Sequence, residues 1–279
     1  MDARMDARGP WPFITMRCVL RDGREVVLRA RQHRKGLLRH AGRDGIPFWH
    51  RPAYNWWNGL FFAVGSLHFI FASLLSITPG PFTARELALV FFAGSIFFTI
   101  AGFMQNLQAA NAGQMGGELP DMSVRPRLIG WKPSDIGWLS AITQFVGTVM
   151  FNFNTLDAID PPSQWYLADL TIWLPGLIGS VLFLISGYLA FMETSHGYWS
   201  WKPADLDWQI VTSNLLGCIL FMGAGIFAYV PRGPEPGWIA FSANLLLCLG
   251  ASGFLLGALL MMKESRQTGT VTPCPLGPS

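Results

Sequence analysis

Trp131-Lys132-Pro133-Ser134-Asp135-Ile136-Gly137-Trp138 returns 70 residues later as Trp201-Lys202-Pro203-Ala204-Asp205-Leu206-Asp207-Trp208. A weaker copy, Arg51-Pro52-Ala53-Tyr54-Asn55-Trp56-Trp57, keeps the basic residue, the proline, the small residue and the tryptophan. Each copy stands at the head of a long apolar run. Proline suits the first turn of a helix, and a nearby Ser or Asp can cap its free N–H groups. Tryptophan favours a membrane–water interface, and a basic residue favours the cytoplasmic side. The motif therefore marks helix starts and interfacial anchors, with a lipid-headgroup site as the alternative.

Outward from these starts, six apolar runs each approach or exceed 20 residues, at about 55–78, 85–108, 135–156, 170–191, 207–230 and 238–262. About 20 helical residues span a hydrocarbon core of roughly 30 Å. Charged residues lie only at the ends of the runs. Composition agrees: 13% charged and 51% apolar, about half the charge of an ordinary soluble domain. The expected fold is an all-α membrane protein. Its six transmembrane helices form three parallel-repeat hairpins, with a small cytoplasmic β-hairpin at the N-terminus.

A second pattern, Gly-x-x-x-Phe, marks every span: Gly65/Phe69, Gly94/Phe98, Gly147/Phe151, Gly179/Phe183, Gly217/Phe221 and Gly250/Phe254. A small residue follows each glycine by seven or eight positions, mostly Gly or Ala. These positions share one helical face. In lipid, small residues let backbones approach, so the pattern reads as a packing seam. A ligand groove is the minority alternative.

Basic residues set the orientation. Twelve lie before residue 52, and the termini and long connections together hold 18 against two, Arg85 and Arg232, on the other side. The positive-inside bias then puts both termini in the cytoplasm, for a protein expected in the plasma membrane. The first long apolar run begins near residue 56, too far along for a signal peptide, so insertion is expected to use uncleaved helices. The four cysteines are scattered, and no disulfide is expected.

The chain divides into a disordered segment (1–11), a β-hairpin with a basic linker (12–54), a first hairpin repeat (55–109), a connecting loop (110–130), a second repeat (131–193), a third (194–262) and a disordered tail (263–279). The strands are expected on either side of an Asp22-Gly23 turn. Arg29, Arg31, Arg34, Lys35, Arg39 and Arg43 follow as a basic stretch. It serves as a topology determinant, with anionic lipid headgroups as the alternative partner. A tethered chain of this kind is not expected to bind nucleic acid. Protein partners are unspecified, and a homo-oligomer is compatible with the pattern.

A strand pair ending in Arg29-Ala30-Arg31, a basic linker and then Trp57, Gly65-Ser66 and Phe69 resembles the YrhK-like membrane proteins of bacteria. The resemblance runs over residues 12–262. In three helices Gly147-Thr148, Gly217-Cys218 and Gly250-Ala251 replace the Gly-Ser pair, and the linker after Arg31 is long. That family consists of helical-hairpin proteins of unassigned function, so the resemblance implies a membrane hairpin fold and brings no catalytic residues.

Chemistry is sparse. The sequence has no phosphate-binding Gly loop, HExxH or GxSxG, and implies no cofactor or metal. His68 is the one ionisable residue near the middle of a span. It is a candidate either for packing or for function. On the third span Gln144, Thr148, Asn152 and Thr155 form one polar stripe. It can glue helices or line a hydrated path. Glu193, Gln105 and Asn106 lie near span ends, where water could satisfy them. The expected role is structural, lipid-interacting or in assembly, without catalysis; the alternative is a small channel or transporter for a neutral solute.

Overall fold

The computed structural model describes residues 4–21, 24–37, 46–78, 80–113, 125–229 and 236–267. The Asp22-Gly23 turn, Arg39, Arg43, Arg232 and residues 268–279 of the tail lie outside them.

Among the described residues six helices are long and apolar enough to cross a membrane, and they fit a multi-pass membrane protein. They are α2 (Pro52–Ile77), α3 (Ala84–Asn111), α4 (Ile136–Asp157), the α5–α6 span, α7 (Leu206–Phe227) and α8 (Gly237–Glu264). The fourth span joins α5 (Trp165–Ala168) to α6 (Leu174–Ser195) through a π-helical turn, Asp169–Trp173. Pro175 has no N–H to give to the preceding turn, and the backbone widens just ahead of it.

The recurring motif starts helices by capping. Asp135 accepts from the N–H groups of Gly137 and Trp138, and Asp205 from those of Asp207 and Trp208. Trp138 and Trp208 are buried within the bundle, and their indoles donate to Ile129 O at 2.9 Å and Ser200 O at 3.1 Å. Trp131 and Trp201 are the exposed members of each pair. Pro52 opens α2, and Thr83 with Glu86 forms a capping box at α3.

The helices close into a ring. Each of α2, α3, α4, α6, α7 and α8 packs on the next, and α8 returns to α2. The closing contact is tight: a Cβ on Gly59 of α2 would lie 2.6 Å from Met262 and 3.1 Å from Ala258 O on α8.

The marked glycines meet in pairs across α2/α3, α4/α6 and α7/α8. A Cβ on Gly65 would sit 3.0 Å from Gly94 O. One on Gly217 would sit 2.9 Å from Gly250 O, and one on Gly250 only 2.5 Å from Phe221. Backbones this close leave no room for any side chain. The six phenylalanines, one from each spanning helix, meet on the axis. All are buried. Phe221 and Phe254 centroids lie 5.0 Å apart, Phe151 and Phe183 5.1 Å, Phe69 and Phe98 5.4 Å, and Phe69 and Phe221 5.8 Å. These are favourable aromatic separations.

The N-terminal sheet differs from expectation. It has three antiparallel strands: β1 (Arg4–Arg8), β2 (Met16–Arg21) and β3 (Arg24–Arg29). β1 lies where disorder was expected, because its backbone finds partners in β2, with Arg8 opposite Met16. Cys18 pairs with Val27 and shares a small apolar cluster with it and Met16. Cys18 is also disulfide-bonded, which corrects the expectation of free thiols; Cys218 and Cys248 are free. A short helix, α1 (Ala30–Arg34), follows β3 directly.

Candidate functional site

The bundle has two unlike ends, the sheet end and the turn end, with the phenylalanine layer between them.

At the sheet end, β3 delivers α1 into the mouth of the ring. Arg31 donates to Asp207 at the start of α7 and to Glu264 at the end of α8. Lys35 Nζ lies 2.9 Å from Glu264, and Gln32 donates to Asp207 at 3.0 Å. Arg34 grips Glu193 of α6 with both terminal guanidinium nitrogens, Nη1 and Nη2. Three cations thus face three carboxylates. Arg31 is 5% exposed and Glu193 1%. Asn55 donates to Lys35 O at 2.8 Å, and Gln108 donates to Asn55 at 2.9 Å and to Trp49 O.

Burial pushes the Lys35 ammonium down to about 8. Arg31 beside it adds to that, and Glu264 pulls the other way. Burial also works against the Arg31 cation, but Glu264 and Asp207 more than offset it, and its pKa rises.

Sequence reading missed this network. Glu193, which could have been wet, is sealed under Arg34. The basic stretch, read as a topology determinant or a lipid-headgroup contact, has Arg31, Arg34 and Lys35 committed to carboxylates. A signal did exist. Fourteen residues after Gly94, Gly179 and Gly250 stand Gln108, Glu193 and Glu264. Ten before Gly65, Gly147 and Gly217 stand Asn55, Gly137 and Asp207. A Cβ on Gly137 would overlap Arg34, so the absent side chain there makes room for the guanidinium.

At the turn end the axis opens into a cavity of about 680 Å³ bounded by all six spanning helices. Phe69, Phe151 and Phe221 form its floor. Asn154 and Trp173 stand in its wall. They tie down the π-helical turn: Asn154 donates to Ile172 O at 2.8 Å, and Trp173 Nε1 to Gly225 O at 2.9 Å. Ser76, Thr78 and Asn244 also line it, and none of the described lining residues is ionisable.

The polar stripe of α4 faces α3 for most of its length. Thr148 is fully buried beside Gly102 and donates to Phe145 O within its own helix. Asn152 accepts from Thr99 at 3.1 Å, and Thr155 meets Ser95 at 3.0 Å. Gln144 is half-buried. Thr155 alone of the four reaches the cavity. His68 lies away from both ends. Its Nδ1 is 2.8 Å from Val64 O and its ring 5.4 Å from that of Phe97. Among the described residues no three His, Cys, Asp or Glu are grouped to hold a metal.

No family model, curated protein or solved structure matches the chain.

Proposed function

We propose that this is a YrhK-like multi-pass membrane protein with a structural, lipid-interacting or assembly role, acting without catalysing a reaction. Its three hairpins are parallel repeats, and both termini face the cytoplasm of the cell whose plasma membrane holds it. One observation carries the non-transporting part of this reading. The axis is filled twice, by six phenylalanines at mid-height and by the charge-paired α1 segment at the sheet end. The stripe that could line a solute path is engaged with α3 instead.

Water accessibility tests this. In a protein with Cys218 and Cys248 replaced by Ala, and Cys18 and Cys274 by Ser, single cysteines go in at Thr148 and Asn152. A membrane-impermeant charged thiol reagent should leave both unmodified in intact membranes. Labelling at both would put the neutral-solute channel ahead.

The orientation rests on 18 basic residues against two. The disulfide at Cys18 pulls the other way, because such bonds persist in oxidising compartments. A single cysteine at exposed Arg266 settles it. Protection in intact cells with labelling in inverted vesicles fits a cytoplasmic sheet end, and the reverse pattern overturns it.

A further inference from the structure

We propose that the turn-end cavity holds one hydrocarbon chain of a neutral amphiphile, with its polar head at the rim. This rests on the reading of the six helices as membrane spans. It goes beyond a general lipid-interacting role by naming a place and a chemistry.

Size comes first. Ligand sites run to roughly 300–1,000 Å³, with mostly apolar walls and a few placed polar groups. About 680 Å³ falls within that range. Close-packed interiors leave few voids larger than a water molecule. The walls show why the helices do not collapse into this one. Ala88 and Ala224 line it with small side chains, and the π-helical turn holds Trp173 across to Gly225.

Depth and polarity come next. Thr78 at the rim, just past the end of α2, stands nine positions after Phe69 on the floor, roughly 13 Å at ~1.5 Å per residue. Phenylalanine, leucine and alanine dominate the descent, while Ser76, Thr78 and Asn244 sit near the rim. An apolar chain matches the lower walls, and hydroxyl or carbonyl groups match the rim. None of the described lining residues is ionisable, so none of them would compensate a charged head taken out of water. The bilayer around the protein supplies such chains.

The test uses the full-length protein in phosphatidylcholine vesicles with a monoacylglycerol carrying a diazirine on its acyl chain. After illumination, adducts should map to cavity residues such as Leu177, Phe221 and Leu247. Excess unlabelled monoacylglycerol should suppress them, and lysophosphatidic acid, with the same chain and an anionic head, should not. In Ala88→Phe/Ala224→Phe the cavity adducts should vanish while those on outward-facing Leu216 and Leu256 persist. Adducts confined to the outward face, or unaffected by competitor, overturn the site. Equal competition by the anionic lipid overturns its preference for a neutral head. The competition arms use the unaltered protein and decide the matter even if the double variant fails to fold. Flotation with the vesicles separates the two levels. Failure to float sinks the membrane reading, whereas flotation without cavity adducts sinks this inference alone.

Discussion

At the sheet end the space between the six helices is filled by the chain's own N-terminal segment, whereas at the turn end it stands open. The filling is polar and specific: Arg31, Arg34 and Lys35 against Glu193, Asp207 and Glu264. The open end is lined mainly by small and apolar side chains with a few neutral polar ones, Ser76, Asn154 and Asn244 among them, and none of its described lining residues is charged. Between them, glycine pairs and six phenylalanines pack in one layer. The difference is one of tolerance. Buried charges depend on partners, and removing one leaves others stranded in a low-dielectric setting. An open apolar wall has no partner to lose.

The largest effect should therefore come from Arg31. Arg31→Met leaves Asp207 and Glu264 with only Lys35 and Gln32 nearby. Breaking a buried pair from one side typically costs about 3–5 kcal/mol. Thermal unfolding in detergent should show a large drop in Tm, and an unchanged Tm would mean that water reaches the network. Arg34 and Glu193 offer a cleaner version. Arg34→Leu should destabilise by about the same 3–5 kcal/mol, and Arg34→Leu/Glu193→Leu should recover most of the loss, because no charge is then stranded. A double variant as unstable as the single one would show that the guanidinium acts through packing instead.

The comparison also shows where sequence is readable. The spans were legible because lipid demands long uninterrupted apolar runs. The Gly-x-x-x-Phe face was legible because helical geometry fixes its spacing. Ring closure was not, since Gly59 and Met262 belong to no shared motif. Arg31 was misjudged because a basic stretch before a first span already satisfies the positive-inside bias, and nothing local shows that Asp207 and Glu264 converge on it. β1 was missed because strand pairing depends on a partner that Met-Asp-Ala-Arg does not announce. The stripe's spacing revealed a shared face. Whether that face meets water or α3 was decided by Thr99 and Ser95, on another helix.

A smaller effect separates the packed layer from the open end. Gly250→Ala places a methyl about where Phe221 already sits, and overpacking of this kind costs about 1–3 kcal/mol. Ala224→Leu points into the cavity and should change Tm little. If the two variants destabilise equally, the cavity is not open in the membrane-embedded protein.

The smallest effect is one of pH, and it is confined to the sheet end. Burial, then the nearby Lys202 and Arg29, push the His196 imidazole down to about 4, and burial lowers that of His33 as well. His196 caps α6 in the left-handed conformation and contacts Thr15 on the sheet at 3.0 Å. A freed histidine titrates near ~6.5. Between those values the undocked segment binds a proton that the docked one does not. Stability therefore falls as pH drops from about 6.5 toward 4, and it is unaffected by these groups above that window. Hydrogen exchange of β2 and β3 should accelerate over this range while exchange at the turn end stays flat. His196→Asn, which keeps a residue tolerant of the left-handed conformation, should remove much of the dependence. An acid response spread evenly over both ends, or one unchanged in His196→Asn, would show that this imidazole is not its source.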